Sequence, residues 1–265
     1  MGEVIVVTSG KGGVGKTTTV ANVGTGLALK NKSVALLDAD IGLRNLDVIL
    51  GLENRIVYDM VDVTQGQAKL NQALIKDKRF PDLYLLPAPQ TKDKTAINPD
   101  EMRNLCGELK SKFDYVIVDS PAGIEQGFQN AIAGADRAIV VTTPEVTAAR
   151  DADRIIGLLE AEEINDHKLI INRIRPDMVH RNDMLDIDDI IGLLSIELLG
   201  VVPDDEQVIV STNKGEPLAS QTGKKASRAY QNITRRIMGE KVPLMTLDHD
   251  SGIMNKLKKF IGLAN

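Results

Sequence analysis

The sequence predicts an α/β fold: a doubly wound, mostly parallel sheet with helices on both faces. Three observations carry that expectation. Short apolar runs recur at Val4–Val7, Val34–Leu37, Leu83–Leu86, Val116–Val118, Ala138–Thr142, Leu169–Asn172 and Leu198–Val202. Most are uninterrupted, as strands buried on both faces require, and helical stretches lie between several of them. The polar motifs fall at the carboxyl ends of these runs, where open parallel sheets place their ligands.

The first run leads into Gly10-Lys11-Gly12-Gly13-Val14-Gly15-Lys16-Thr17-Thr18, and Thr19–Gly24 then opens a helix. Strand, glycine-rich turn and helix form the context of a phosphate-binding loop. Glycines let several backbone N–H groups converge on one anion, and the helix N-terminus adds partial positive charge. Gly12, Gly13, Val14, Gly15 and Thr18 are expected to cradle the phosphates. Lys16 is expected to reach the β- and γ-phosphates, and the Thr17 hydroxyl to hold Mg²⁺.

The second run ends in Asp38-Ala39-Asp40, two carboxylates whose i, i+2 spacing points them to one face of a strand. Like charges so placed repel unless a cation or a phosphate-bound water lies between them. Downstream, Asn98-Pro99-Asp100-Glu101 is a helix start, with an N-cap, a proline at the first position and acids after it. That helix is expected to run toward Phe113. Tyr115-Val116-Ile117-Val118-Asp119-Ser120-Pro121-Ala122-Gly123 is an apolar strand closed by an acid. Asp119 is expected to hold a magnesium-bound water, and the Gly123 N–H to sense the γ-phosphate. A helix from about residue 147 to 162 carries Arg150, Asp151 and Asp153 in alternating charge, which by itself reads as a solvated face. Two further runs end in the polar residues Asn172-Arg173 and Pro203-Asp204-Asp205. A last core helix spans Ala226 to Met238 and stops at Gly239.

Lys11 makes the pattern specific, because an ordinary phosphate loop needs only one lysine. K-G-G-x-G-K-[ST] resembles the deviant Walker A ATPases, the MinD/ParA family of P-loop NTPases, which also include the nitrogenase iron protein. The resemblance covers nearly the whole chain. It implies that Lys11 crosses a dimer interface to the partner's nucleotide. It also implies that Asp38 joins the magnesium shell, that Asp40 positions the attacking water, and that Asn172 reads the adenine edge. Lys11, Lys16 and Asp40 are thus the expected catalytic residues, and Thr17, Asp38 and Asp119 the expected metal shell. Arg173, Pro203 and Asp204 are expected to complete the base pocket. The implied cofactors are ATP and Mg²⁺. An asparagine offers both a donor and an acceptor to adenine, whereas guanine recognition would more typically use an aspartate.

After residue 240 the pattern becomes irregular, then ends in Ile253-Met254-Asn255-Lys256-Leu257-Lys258-Lys259-Phe260-Ile261-Gly262-Leu263-Ala264-Asn265. At 100° per residue, Ile253, Leu257, Phe260, Ile261 and Ala264 cluster, with Met254 at one edge. Lys256 and Lys258 flank that stripe. A basic amphipathic helix of this length reads as an interfacial membrane anchor, too short to span a bilayer. The MinD branch of the family carries a membrane-targeting helix in this place. The expected organisation is an ATPase domain over 1–240, a linker over 241–252 and a membrane-targeting helix over 253–265. Ile253, Met254, Leu257, Lys258, Phe260 and Ile261 are the expected membrane contacts. By the same resemblance, Arg150, Asp151 and Asp153 are expected to bind a division inhibitor or a topological regulator.

Composition narrows the alternatives. The chain has 265 residues, 43% hydrophobic and 26% charged, which suits one large α/β domain. The single Cys106 excludes an internal disulfide and a C-x-x-C metal motif. The three histidines are scattered and suggest no metal site. No signal peptide is expected, since a core strand opens the chain. A net charge of -5 gives no support for non-specific DNA binding of the ParA type. A flagellar-number regulator of the FlhG type shares loop and tail and is the nearest rival. The expectation is therefore a cytoplasmic, nucleotide-dependent homodimer, peripheral on the inner face of the cell membrane at an anionic lipid surface, that recruits a septum inhibitor and binds no specific nucleic acid.

Overall fold

The computed structural model describes residues 2–245. Eight strands form one sheet: β1 Glu3–Thr8, β2 Val34–Asp38, β3 Ile75–Lys76, β4 Leu83–Leu86, β5 Tyr115–Asp119, β6 Arg137–Thr142, β7 His167–Ile174 and β8 Glu197–Pro203. Their spatial order is β3-β4-β2-β5-β1-β6-β7-β8. Every neighbouring pair is parallel except β3 with β4. All seven expected strands are present. The eighth, β3, lies beyond sequence patterning because two residues carry no periodicity.

The helices are α1 Lys16–Ala28, α2 Leu46–Ile49, α3 Met60–Thr64, α4 Leu70–Ala73, α5 Pro99–Lys110, α6 Gln126–Ile132, α7 Val146–Ala161, α8 Pro176–His180, α9 Ile187–Leu194, α10 Glu206–Asn213 and α11 Lys225–Ile237. The α5 start is as its sequence dictates. The Asn98 side chain accepts from the N–H groups of Asp100 and Glu101, both at 3.0 Å, and Glu101 reaches back to the Asn98 N–H at 2.9 Å. This reciprocal cap satisfies donors that the first turn leaves open.

The sheet separates two apolar layers, which explains the continuous apolar runs. Val4, Val6, Ala35, Leu37, Val116 and Val118 face one layer, together with Leu105 of α5, Phe128 of α6 and Ile155 of α7. Ile5, Val7, Val34, Leu36 and Ile117 face the other, with Val20 and Val23 of α1 and Tyr230 and Ile233 of α11. Alternation persists along each strand; both faces are simply buried. The carboxyl ends of β1, β2 and β5 then stand side by side, with Asp38 opposite Asp119 in register. The amphipathic segment with Ile253, Met254, Leu257, Lys258, Phe260 and Ile261 lies outside the described residues.

Asn98→Ala is expected to destabilise the domain by about 0.5–2 kcal/mol, the usual value of a lost N-cap. Urea unfolding followed by circular dichroism measures it, as a lower midpoint at unchanged slope.

Candidate functional site

The loop between β1 and α1 is shaped by two close approaches. Gly15 is the N-cap of α1 and sits at φ 100°, in the left-handed region. A Cβ there would also lie 2.3 Å from the Asn172 Nδ2. Gly10 is needed for space: its Cβ would lie 2.3 Å from the backbone oxygen of Asp151 on α7. Helix α1 has no side-chain cap and no acid in its first turn. Its positive end is therefore left for an external anion.

Lys16 is buried, and its Nζ donates to the Ser9 hydroxyl at 3.0 Å. Ser9 in turn donates to the Lys11 carbonyl at 2.8 Å, so the side chain is held within the loop. Burial pushes the Lys16 ammonium below its usual pKa, with Asp119 and Asp40 pulling the other way.

Asp38 and Asp119 are each 1% exposed on adjacent strand ends. Asp38 accepts from the Asp40 N–H at 3.0 Å and from the Leu46 N–H at 3.3 Å. Burial pushes its carboxyl up to about 7 despite those bonds, with Asp40 and Asp47 adding repulsion. Asp119 is likewise raised, by burial and by Asp38, while the Thr17 hydroxyl and Lys16 lower it. Its Oδ1 is buried with no hydrogen-bond partner. A polar atom so placed costs free energy unless something polar meets it. Two carboxylates and a hydroxyl are hard oxygen donors, and a small divalent cation with its waters fits them. Among the described residues no three His, Cys, Asp or Glu side chains form a closed metal cage.

Lys11 faces outward. Its Nζ pairs with Glu145 Oε2 at 2.9 Å and lies 3.5 Å from the Thr147 hydroxyl, at the start of α7. The ammonium holds the Glu145 carboxyl below the usual carboxylate range. Within one chain, then, Lys11 serves α7 rather than its own loop. Gly123, at φ 91°, lies in the turn after β5 and has open space around its Cβ position.

The expected base pocket is brought together at the ends of β7 and β8, where Ile174 is in register with Pro203 and the Asp204 N–H donates to the Ile174 carbonyl at 3.0 Å. Asn172 has a further duty there. Its Nδ2 donates to the Val14 carbonyl at 2.7 Å, and its Oδ1 accepts from the Arg173 N–H at 2.9 Å. The residue assigned to adenine thus also ties β7 to the phosphate loop. Arg173 is exposed and sits at φ 59°.

On α7, Arg150 and Asp153 are exposed, whereas Asp151 is half-buried against Gly10. Sequence reasoning missed Ser9, which orients Lys16, and Glu145, which holds Lys11. Neither carries a positional signal; only the loop's path brings them into contact.

The CobQ/CobB/MinD/ParA nucleotide binding domain family matches residues 5–218 of the chain. The septum site-determining protein MinD of Bacillus subtilis (strain 168) is 61% identical over 268 aligned residues, with 100% of each chain covered. The structure of the MinC:MinD cell division protein complex of Aquifex aeolicus superposes with a TM-score of 0.87 at 50% identity, covering 92% of this chain and 99% of that one. The septum site-determining protein MinD of Pyrococcus horikoshii OT3, solved with Mg-ADP, gives a TM-score of 0.81 at 26% identity, covering 91% of this chain and 100% of that one.

The raised carboxyls set a pH dependence. Burial holds the folded Asp38 carboxyl at about 7, above its ordinary value of 3.8, so the folded chain binds more protons than the unfolded chain between those values. Stability from this group therefore falls as pH rises through that window and is lost above about 7. With chelator present, the urea midpoint is expected to drop between about pH 5 and 7, above the range of ordinary carboxylates. The slope is expected to shrink in Asp38→Ala and on adding Mg²⁺ with nucleotide.

Proposed function

The chain belongs to the MinD family of CobQ/CobB/MinD/ParA nucleotide-binding proteins, and on that premise we propose how its residues turn ATP hydrolysis into reversible membrane attachment. The protein is a Mg²⁺-dependent ATPase of septum placement that dimerises with ATP and recruits MinC. The observation that carries the mechanism is the convergence of Lys16, Thr17, Asp38 and Asp119 at the mouth of a helix whose N-terminus holds no internal anion. Thr17, Asp38 and Asp119 would hold Mg²⁺, which would supply positive charge against that of the phosphates.

The remaining work falls to the chain. The loop N–H groups and Lys16 hold the phosphates, and the Ser9 contact keeps Lys16 aimed before nucleotide arrives. Asp40 positions the attacking water. Its own N–H is bonded to Asp38, so the water-positioning and metal-facing acids move together. Lys11 leaves Glu145 to reach the partner's nucleotide, which makes dimerisation a condition of the reaction. Asn172 braces the loop beneath the base, between the ends of β7 and β8. Arg150 and Asp153 offer the partner protein an exposed charged face on α7. The full-length likeness to septum site-determining proteins favours this reading over flagellar regulation or DNA partition.

Among the described residues no helix is long and apolar enough to cross a membrane. The terminal segment 253–265 is the membrane element of this reading, a peripheral anchor on the inner face of the cell membrane. Each lysine adds about 1 kcal/mol near an anionic surface, and ordering the segment opposes that, so one tail binds weakly. Two tails in one dimer gain avidity of about 10²–10⁴. Nucleotide then governs attachment without touching the tail.

Asp40→Ala is expected to bind ATP and dimerise while hydrolysis falls by on the order of 10²-fold, lengthening the dimer's life. Paired phosphate-release and size-exclusion measurements test it; a wild-type rate removes Asp40 from the water.

Deleting residues 253–265 is expected to spare ATP binding and dimerisation but abolish co-sedimentation with anionic liposomes. Phe260→Glu is expected to come close to the same loss, because it puts a charge within the apolar stripe. Wild-type co-sedimentation of Phe260→Glu in ATP would defeat the membrane assignment.

A further inference from the structure

The last described residues are tied down by two consecutive arginines of α11. Gly239 ends the helix at φ 85° and donates to the Arg236 carbonyl at 3.0 Å, turning the chain back. Glu240 then pairs with Arg235 at 2.7 Å. Arg236 makes three bonds, all to backbone carbonyls. Its Nε donates to Val242 at 2.9 Å, its Nη2 to Pro243 at 2.7 Å and its Nη1 to Leu199 at 2.9 Å. Among the described residues no carboxylate pairs with it. Leu199 belongs to β8, the edge strand, so one guanidinium joins the post-helix segment to the rim of the sheet. Met245, two residues further, packs against the core.

The place is specific too. The Arg137 side chain, from the first residue of β6, donates to the Ile237 carbonyl at the end of α11, at 3.4 Å. The strap therefore leaves at the amino ends of the strands. The phosphate loop lies at their carboxyl ends. A planar fork that engages three carbonyls from two segments fixes direction as well as distance, which an ammonium could not do.

We propose that Arg236 is a positioning residue for membrane attachment: by clamping Val242 and Pro243 to the β8 edge, it roots the terminal basic amphipathic segment at a fixed exit. The proposal rests on the membrane reading above. With the clamp closed, the connector to residue 253 is 246–252, about seven residues. With it open, Arg235 still holds Glu240, so the connector starts at Lys241 and is about twelve residues. Effective concentration falls as roughly the −3/2 power of connector length, so the second tail of a dimer loses about 2-fold in avidity.

The test uses the full chain with ATP and vesicles of mixed phosphatidylglycerol and phosphatidylcholine. Arg236→Ala is expected to bind these vesicles about 2-fold more weakly than wild type, at an unchanged rate of ATP hydrolysis without vesicles. Limited trypsin digestion is expected to cut after Lys241 faster in the variant. Combining Arg236→Ala with deletion of 246–250 returns the connector to its original length and is expected to restore binding; a merely destabilised domain would not recover. Unchanged vesicle binding of Arg236→Ala, or a loss that the deletion does not restore, overturns the proposal. An unchanged trypsin rate overturns the clamp and the proposal with it, while leaving the membrane reading intact. Wild-type vesicle binding after removal of 253–265 overturns the membrane reading itself, and the proposal with it.

Discussion

Two buried carboxylates face one another at the centre of this molecule, and the arrangement around them follows from that repulsion. Asp38 and Asp119 are register neighbours at the ends of β2 and β5, each nearly without solvent. Backbone donors answer part of the charge on Asp38, and the Thr17 hydroxyl and Lys16 answer part of that on Asp119. The remainder is left unanswered, with Asp119 Oδ1 buried and unpaired. Such a site stores unfavourable electrostatics that, on the proposed reading, a magnesium–nucleotide complex would relieve. The fold contributes by keeping the two strand ends adjacent whether or not the ligand is present.

The phosphate loop is gripped from two sides. Gly10 lies against the α7 backbone at Asp151, and Val14 is held by Asn172 at the end of β7. These contacts place three functions within one connected set of atoms. The same α7 turn that touches the loop presents Arg150 and Asp153 outward. Its first turn also borders Glu145, which holds Lys11. On the proposed reading, a partner seated on α7 would be one backbone contact from the phosphate loop, a short physical route between nucleotide state and recruitment through close packing.

The strand ends were legible in the sequence because continuous apolar runs followed by acids or glycines leave few other readings. Asn98 and Glu101 announced α5 through a reciprocal cap, and that is a local signal. Strand β3 left no trace, being two residues paired with β4 by tertiary context alone. Helices α2, α3, α4, α6, α8, α9 and α10 were also unforeseen. Each is eight residues or fewer, too short for apolar spacing to separate a helix from other structure.

The sequence by itself determined the chemistry: a glycine-rich loop, two lysines, and acids closing parallel strands. Those features are local, because phosphate and metal chemistry demands particular side chains at fixed spacing. Tertiary structure alone decided the partners of those groups. Ser9 on Lys16, Glu145 on Lys11 and Asn172 on Val14 are contacts between residues 7, 134 and 158 positions apart. The Arg236 bond to Leu199 spans 37. No periodicity encodes such pairs, since each depends on where the sheet order brings distant segments together.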